Sequence, residues 1–162
     1  MEAGFFFVRK GTISAMASTA QTYRDAAKEH LLRAQDNFDR EEYFLAHYLF
    51  GLAVECHLRA YLRRATNVFD SGHDLRDLAA EADFYAIVPR NQASEFSKKF
   101  TTLNLRWRSN HRYYSERQFL DYMTEIKAEF NVPGNRWKNL TRTVQNLAYI
   151  IINQGEAKWD SK

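Results

Sequence analysis

Apolar residues recur at spacings of three and four along most of this chain, and no segment alternates apolar with polar over the length of a strand. The stripe Ala20, Tyr23, Ala27, Leu31, Ala34 and Phe38 predicts a first helix, opened by a capping box at Ser18-Thr-Ala-Gln21. Asp39-Arg-Glu-Glu42 then predicts the start of a second helix reaching about Arg64. A loop follows over 65–72. The spacing of Ser71 and Asp77 predicts a short helix through Ala82, and Phe84–Val88 reads as a connector. Pro89 suits the first turn of a helix whose inward positions are Ala93, Phe96, Phe100, Leu103 and Trp107. Ser115-Glu-Arg-Gln118 caps another, with Phe119, Tyr122, Met123, Ile126 and Phe130 inward. Pro133-Gly134 breaks it, and a last helix runs from about Asn135 to Asn153 on the seam Trp137, Leu140, Val144, Leu147 and Ile151. That seam suits either the bundle interior or a second chain, and the interior is the expected use. The sum is an all-α fold, an antiparallel helical bundle of five long helices and one short one. Residues 1–17 are expected to form a weakly ordered extension, 18–155 the bundle, and 156–162 a tail.

The second helix differs from the others. The run YFLAHYLFGLAVECHLRAYLRR at 43–64 is apolar on nearly every side, which places it at the centre of the bundle. Glu55 lies in its middle. A buried, unpaired carboxylate costs several kcal/mol, so Glu55 needs a partner. Arg59, one turn on, is one candidate, and a basic residue of another helix is the other. Gly51 in the same run permits close approach of a neighbour.

Composition narrows the chemistry. With 45% hydrophobic residues the chain can fill a core, while six Gly and two Pro do not suit a turn-dense β architecture. A single cysteine, Cys56, excludes an intramolecular disulfide and a multi-cysteine zinc site, and a cytoplasmic setting is the default expectation. No apolar run approaches the roughly 18–20 residues of a membrane span. Phe5–Val8 is too short for a signal-peptide core and precedes Arg9 and Lys10 rather than following them. A Gly-rich phosphate loop, a nucleophile elbow and an HExxH motif are all missing, and no metal or cofactor is expected. His30, His47 and His57 read as surface or core-edge residues.

The net charge of +3 is modest, so its placement matters more than its size. From Phe96 to Ser115 there is no acidic residue, and the window holds Lys98, Lys99, Arg106, Arg108, His111 and Arg112. Phe96, Phe100 and Trp107 belong to the helical stripe, whereas Tyr113 and Tyr114 are free to face a ligand. Cations neutralise phosphates and aromatic faces stack on bases, so the window points to a nucleotide or RNA strand. Arg106 and His111 are five residues apart, roughly 140° around an ideal helix, and can converge only if the helix ends between them. Ser109-Asn110 is a plausible break. His73, after Gly72, is a candidate for a ligand-facing loop, while Asp74 reads as a cap.

The runs AHYLFGLAVECHLRAYL at 46–62, GHDLRDLAAEADF at 72–84 and LRWRSNHRYY at 105–114 together resemble the HEPN domain family, in order and spacing, from roughly Tyr23 to Asn153. The resemblance implies a compact bundle, often a homodimer, in prokaryotic nucleotide-related systems. It further implies, for some members, a nucleotidyltransferase partner in modules of toxin–antitoxin type. Many active members resemble metal-independent ribonucleases, in which an arginine is followed four to six residues later by a histidine, supported by a polar residue on an earlier helix. Arg106 and His111 match that pattern, with Glu55 as the supporting residue. Arg24 with His30 and Arg40 with His47 have similar spacings, and only position, after the GHDL helix and inside the basic window, singles out Arg106. Two functions are then expected to compete. One is RNA cleavage, with His111 as acid–base group and Arg106 on the phosphate. The other is a non-catalytic module binding a nucleotide, RNA or partner through Lys98, Lys99, Arg108, Arg112, Tyr113, Tyr114 and His73, or serving dimerisation alone.

Overall fold

A computed structural model describes residues 19–66, 72–128 and 134–161. The expected extension at 1–17 and the inward Phe130 lie outside them. Six α-helices follow in order: α1 (Ala20–Asp39), α2 (Tyr43–Ala65), α3 (Leu75–Glu81), α4 (Ala93–Arg106), α5 (Glu116–Glu125) and α6 (Arg136–Lys158). Short 3₁₀ turns occupy Phe84–Ile87, Arg90–Gln92, Ser109–Tyr113 and Trp159–Ser161, and no strand occurs among the described residues. The all-α bundle of five long helices and one short one is the fold.

α2 is its axis. Phe50, Ala53, Val54 and Leu58 are wholly buried, and each large apolar side chain so placed contributes ~1.5–3 kcal/mol. α1 runs back along it as a hairpin. α6 lies antiparallel to α1, through Arg24–Glu156 at one end and Gln35–Gln145 at the other. It is therefore parallel to α2, where the Thr141 hydroxyl donates to Tyr43 O and the Tyr61 hydroxyl to Gly155 O. α4 runs antiparallel to α2: its Phe96 and Phe100 pack on Phe84, which packs on His57 and Tyr61 of α2, and its last residue, Arg106, accepts at its carbonyl from His47 near the start of α2. A second, smaller cluster of Phe119, Met123, Ala128 and Leu140 lies under α5.

Helix ends account for most departures from the expected boundaries. Thr19, not Ser18, caps α1, its hydroxyl accepting from Thr22 N at 3.1 Å. The expected start at Asp39 is instead the last residue of α1. There Gln35 binds its carboxylate, and the helix closes in a Schellman motif, with Glu42 N donating to Asn37 O and Glu41 N to Phe38 O. Glu41 takes the left-handed conformation at φ 65°, so the chain reverses without a glycine. Asp74 caps α3 through Arg76 N and Asp77 N, in keeping with its reading as a cap, whereas Ser71, where the helix was expected to start, lies outside the described residues. Pro89 precedes a 3₁₀ turn, and α4 begins at Ala93. The Ser115–Gln118 box forms as expected.

The last helix is longer than its seam predicts. Asn135 caps it, and it continues to Lys158 with Trp159 buried beyond. Residues 156–161 therefore belong to the bundle and are not a tail. Glu156 binds Arg24 and Lys28, and Arg64 donates to Trp159 O.

Candidate phosphate-binding face

The basic window begins where α4 ends. Trp107 N still donates to Leu103 O, but Trp107 itself is extended, and Arg108 leads into the 3₁₀ turn Ser109–Tyr113. The helix does end between Arg106 and His111, but at Trp107-Arg108, ahead of the expected Ser109-Asn110, which lie inside the 3₁₀ turn. Trp107, expected on the helical stripe, fixes where the break falls. Its indole is fully buried against Gly51, and its Nε1–H donates to Tyr48 O at 2.9 Å. Gly51 thus serves close approach, and what approaches is an indole.

Beyond that break the cations divide into two sets. Arg106 is buried, donating from Nη1 to Ala128 O at 2.9 Å, and burial pushes its pKa down. Ala128 O is available there because α5 also ends in a Schellman turn, with Lys127 left-handed. His111 is only 1% exposed, among Tyr114, Phe119 and Tyr122. Its Nδ1 accepts from Arg108 N at 3.2 Å, so the ring proton sits on Nε2, which is buried with no hydrogen-bond partner. Burial first, and the nearby Arg108 charge second, lower its pKa to about 4.

His47 joins this pair and was not legible as a site residue. It is buried, not at a core edge, and its Nε2–H donates to Arg106 O at 3.0 Å. Burial lowers its pKa to about 3, with His111 and Arg106 adding repulsion. His57, also expected at the surface or core edge, is fully buried against Gly155.

The outer set comprises Arg108, Arg112 and Tyr113. Arg108 donates to the Tyr122 hydroxyl at 3.2 Å. Arg112 lies over the Tyr113 ring at 4.8 Å and also interacts with the Tyr48 hydroxyl. Among the described residues neither arginine is ion-paired with a carboxylate. Tyr113 is 74% exposed, whereas Tyr114 is half-buried on His111. Lys98 faces solvent, and Lys99 is held by Glu95 one turn back.

Glu55 and His73 are brought together, but elsewhere. Glu55 lies eight residues, or ~12 Å, along α2 from His47. Its Oε1 accepts from Arg59 at 3.0 Å and from His73 Nδ1 at 2.8 Å. Arg59 also donates to Gly72 O at 2.6 Å. Arg106 and His111 therefore share a buried neighbourhood, and Glu55 does not enter it. Asn104 was not legible either. It is buried and ties Leu75 N to Asp74, so α4 holds the His73 loop in place. Besides burial, which alone would raise the Asp74 pKa, the hydrogen bonds from Arg76 and Asn104 act on it and hold it below the usual value.

Among the described residues no three metal-ligating side chains gather, and no helix is long and apolar enough to cross a membrane. The family model of the HEPN domain matches residues 20–130. No curated protein and no solved structure matches.

Proposed function

This chain belongs to the HEPN domain family, and from that membership we propose that it binds the phosphates of a nucleotide or RNA strand through Arg108, Arg112 and Tyr113. One observation carries the reading: two exposed guanidinium groups, with no carboxylate partner among the described residues, stand at the start of and within a turn that holds a tyrosine ring in solvent. Guanidinium forks suit phosphate oxygens, and the ring offers a stacking face. Lys98 extends the positive surface along α4. Cleavage at Arg106 and His111 is the sharper version of the proposal, and the geometry favours it less. A general acid–base group must reach the proton it moves, and the free nitrogen of His111 is sealed under Tyr114 and Tyr122. In this conformation Arg106 and His111 act as positioning residues that shape the turn. A nucleotidyltransferase partner would compete for the same cations, as would a second copy of the chain.

The test is a titration of a labelled single-stranded RNA into wild type, Arg108→Glu and Arg112→Glu. Each substitution is expected to weaken binding tenfold or more, about 1.4 kcal/mol, and to flatten the salt dependence. Unchanged curves for both variants would overturn the proposal. Chelator-resistant cleavage that His111→Ala abolishes would move it from binding to catalysis.

A further inference from the structure

The Glu55–His73 pair has the form of a site and is not used by the reading above. A buried carboxylate holds one nitrogen of a half-exposed imidazole: the Glu55 side chain is 6% exposed and that of His73 46%. Two contacts compete at Nδ1, Glu55 at 2.8 Å and Arg59 Nη2 at 3.5 Å. Arg59 can only donate, and Glu55 can only accept when ionised. The shorter, charge-assisted contact decides, so Nδ1 carries the proton. In the neutral ring the opposite nitrogen, Nε2, then presents a lone pair. Asn104 and the Asp74 cap fix the backbone that carries it.

The Glu55–His73 contact and the Tyr48–Arg112 contact of the phosphate-binding face lie on the same side of α2. Tyr48 and Glu55 are seven residues apart on α2 and share one side of the helix, with the half-buried Leu52 between them. Tyr48 meets Arg112, and Glu55 meets His73. The rise between them is ~10 Å, about three stacked nucleotides at ~3.4 Å each.

Resting on the phosphate-binding reading, we propose that His73, oriented by Glu55, forms a second subsite that accepts a hydrogen bond from a ribose 2′-hydroxyl, about three nucleotides along a strand anchored at Arg112. A hydroxyl is the group a neutral imidazole lone pair takes, and the 2′-hydroxyl is the donor that separates RNA from DNA.

The experiment uses the full chain at pH 8. Labelled single strands of one sequence, as RNA, DNA and 2′-O-methyl RNA, are titrated into wild type, His73→Ala and Arg112→Glu. Wild type is expected to bind RNA at least fivefold more tightly than the other two, about 1 kcal/mol. His73→Ala should erase that preference by weakening RNA alone, and Arg112→Glu should weaken all three strands. Equal wild-type affinity for RNA and 2′-O-methyl RNA overturns the subsite, and this readout holds even if His73→Ala misfolds. A His73→Ala variant that weakens all strands equally while keeping the wild-type melting temperature also overturns it. In both cases a continued Arg112→Glu effect leaves the phosphate reading standing. Failure of every strand to bind overturns both.

Discussion

Gly51→Ala is a one-methyl change at a crowded contact between α2 and the Trp107 indole. A Cβ there would lie 2.1–2.3 Å from three atoms of the Trp107 indole, well inside any sustainable contact. The indole is fully buried and tied through Nε1 to Tyr48 O, so it cannot rotate away without leaving its site. Overpacking of this kind costs ~1–3 kcal/mol. Losing the buried hydrogen bond costs ~1–3 kcal/mol more. Alanine's better helix propensity returns ~1 kcal/mol. The net is about 3 kcal/mol of destabilisation, a large part of the ~5–15 kcal/mol typical of a domain. Urea unfolding followed by helical circular dichroism measures it. Trp107→Leu removes the obstacle, so the double variant should recover most of the alanine penalty, a coupling of ~2 kcal/mol or more. Because Trp107 sets where the Arg108–Arg112 turn begins, Gly51→Ala should also weaken RNA binding while the chain is still folded. A Gly51→Ala variant within 0.5 kcal/mol of wild type, or additivity with Trp107→Leu, would show that the indole does not hold this turn.

Glu55→Gln removes the charge that faces Arg59 in a nearly closed site. Breaking such a pair from one side costs ~3–5 kcal/mol, and Glu55→Leu with Arg59→Met should cost clearly less in the same urea assay; equal losses would show that the pair is not effectively buried. Stability should also fall as the solution is acidified. His47, His57 and His111 have folded pKa values of about 3, 4 and 4, all below the ~6.5 of an unfolded histidine. The unfolded chain therefore takes up more protons between those limits, and stability present above pH ~6.5 is lost as pH falls towards 4, by up to ~1.4 kcal/mol per pH unit for each histidine. For His57 burial outweighs Glu156, 3.8 Å away. Burial would raise the Glu156 pKa, but Arg24 and Lys28 hold it at about 2, which adds a further loss below pH ~4.5. Melting temperatures across this range provide the check, and a flat profile from pH 7.5 to 5 would contradict the burial of these rings.

The helices were legible because burial imposes a three-four period that survives any detail of packing. Their ends were less so. A capping box is a local pattern, and Asp39-Glu42 carries one. The Schellman turn at Glu41 won because residues 37–42 satisfy their backbone groups better by running α1 to its end. The same limit applies at the basic window. The need for a break between Arg106 and His111 and the cations around it were legible, but the buried Trp107 indole ends α4 ahead of the expected Ser109-Asn110. Which cations face water depended on where α4 stops and on the carbonyl that α5 offers to Arg106. Glu55 was legible as needing a cation, and Arg59 was named. His73 was the partner on the next element, and its pairing comes from a loop whose placement depends on Asn104, a residue with no periodic signal.

α6 has a practical consequence for anyone subcloning this protein. The recognisable stretch stops at 130, yet Val144, Ala148, Ile151 and Ile152 fill one wall of the α2 interior. A fragment trimmed to the match would lose that wall, leaving the α2 face it covers open to solvent and the Arg24 side chain without its Glu156 carboxylate. It should come out as inclusion bodies or a loosely collapsed chain, so the unit that homology outlines is smaller than the unit that can stand by itself.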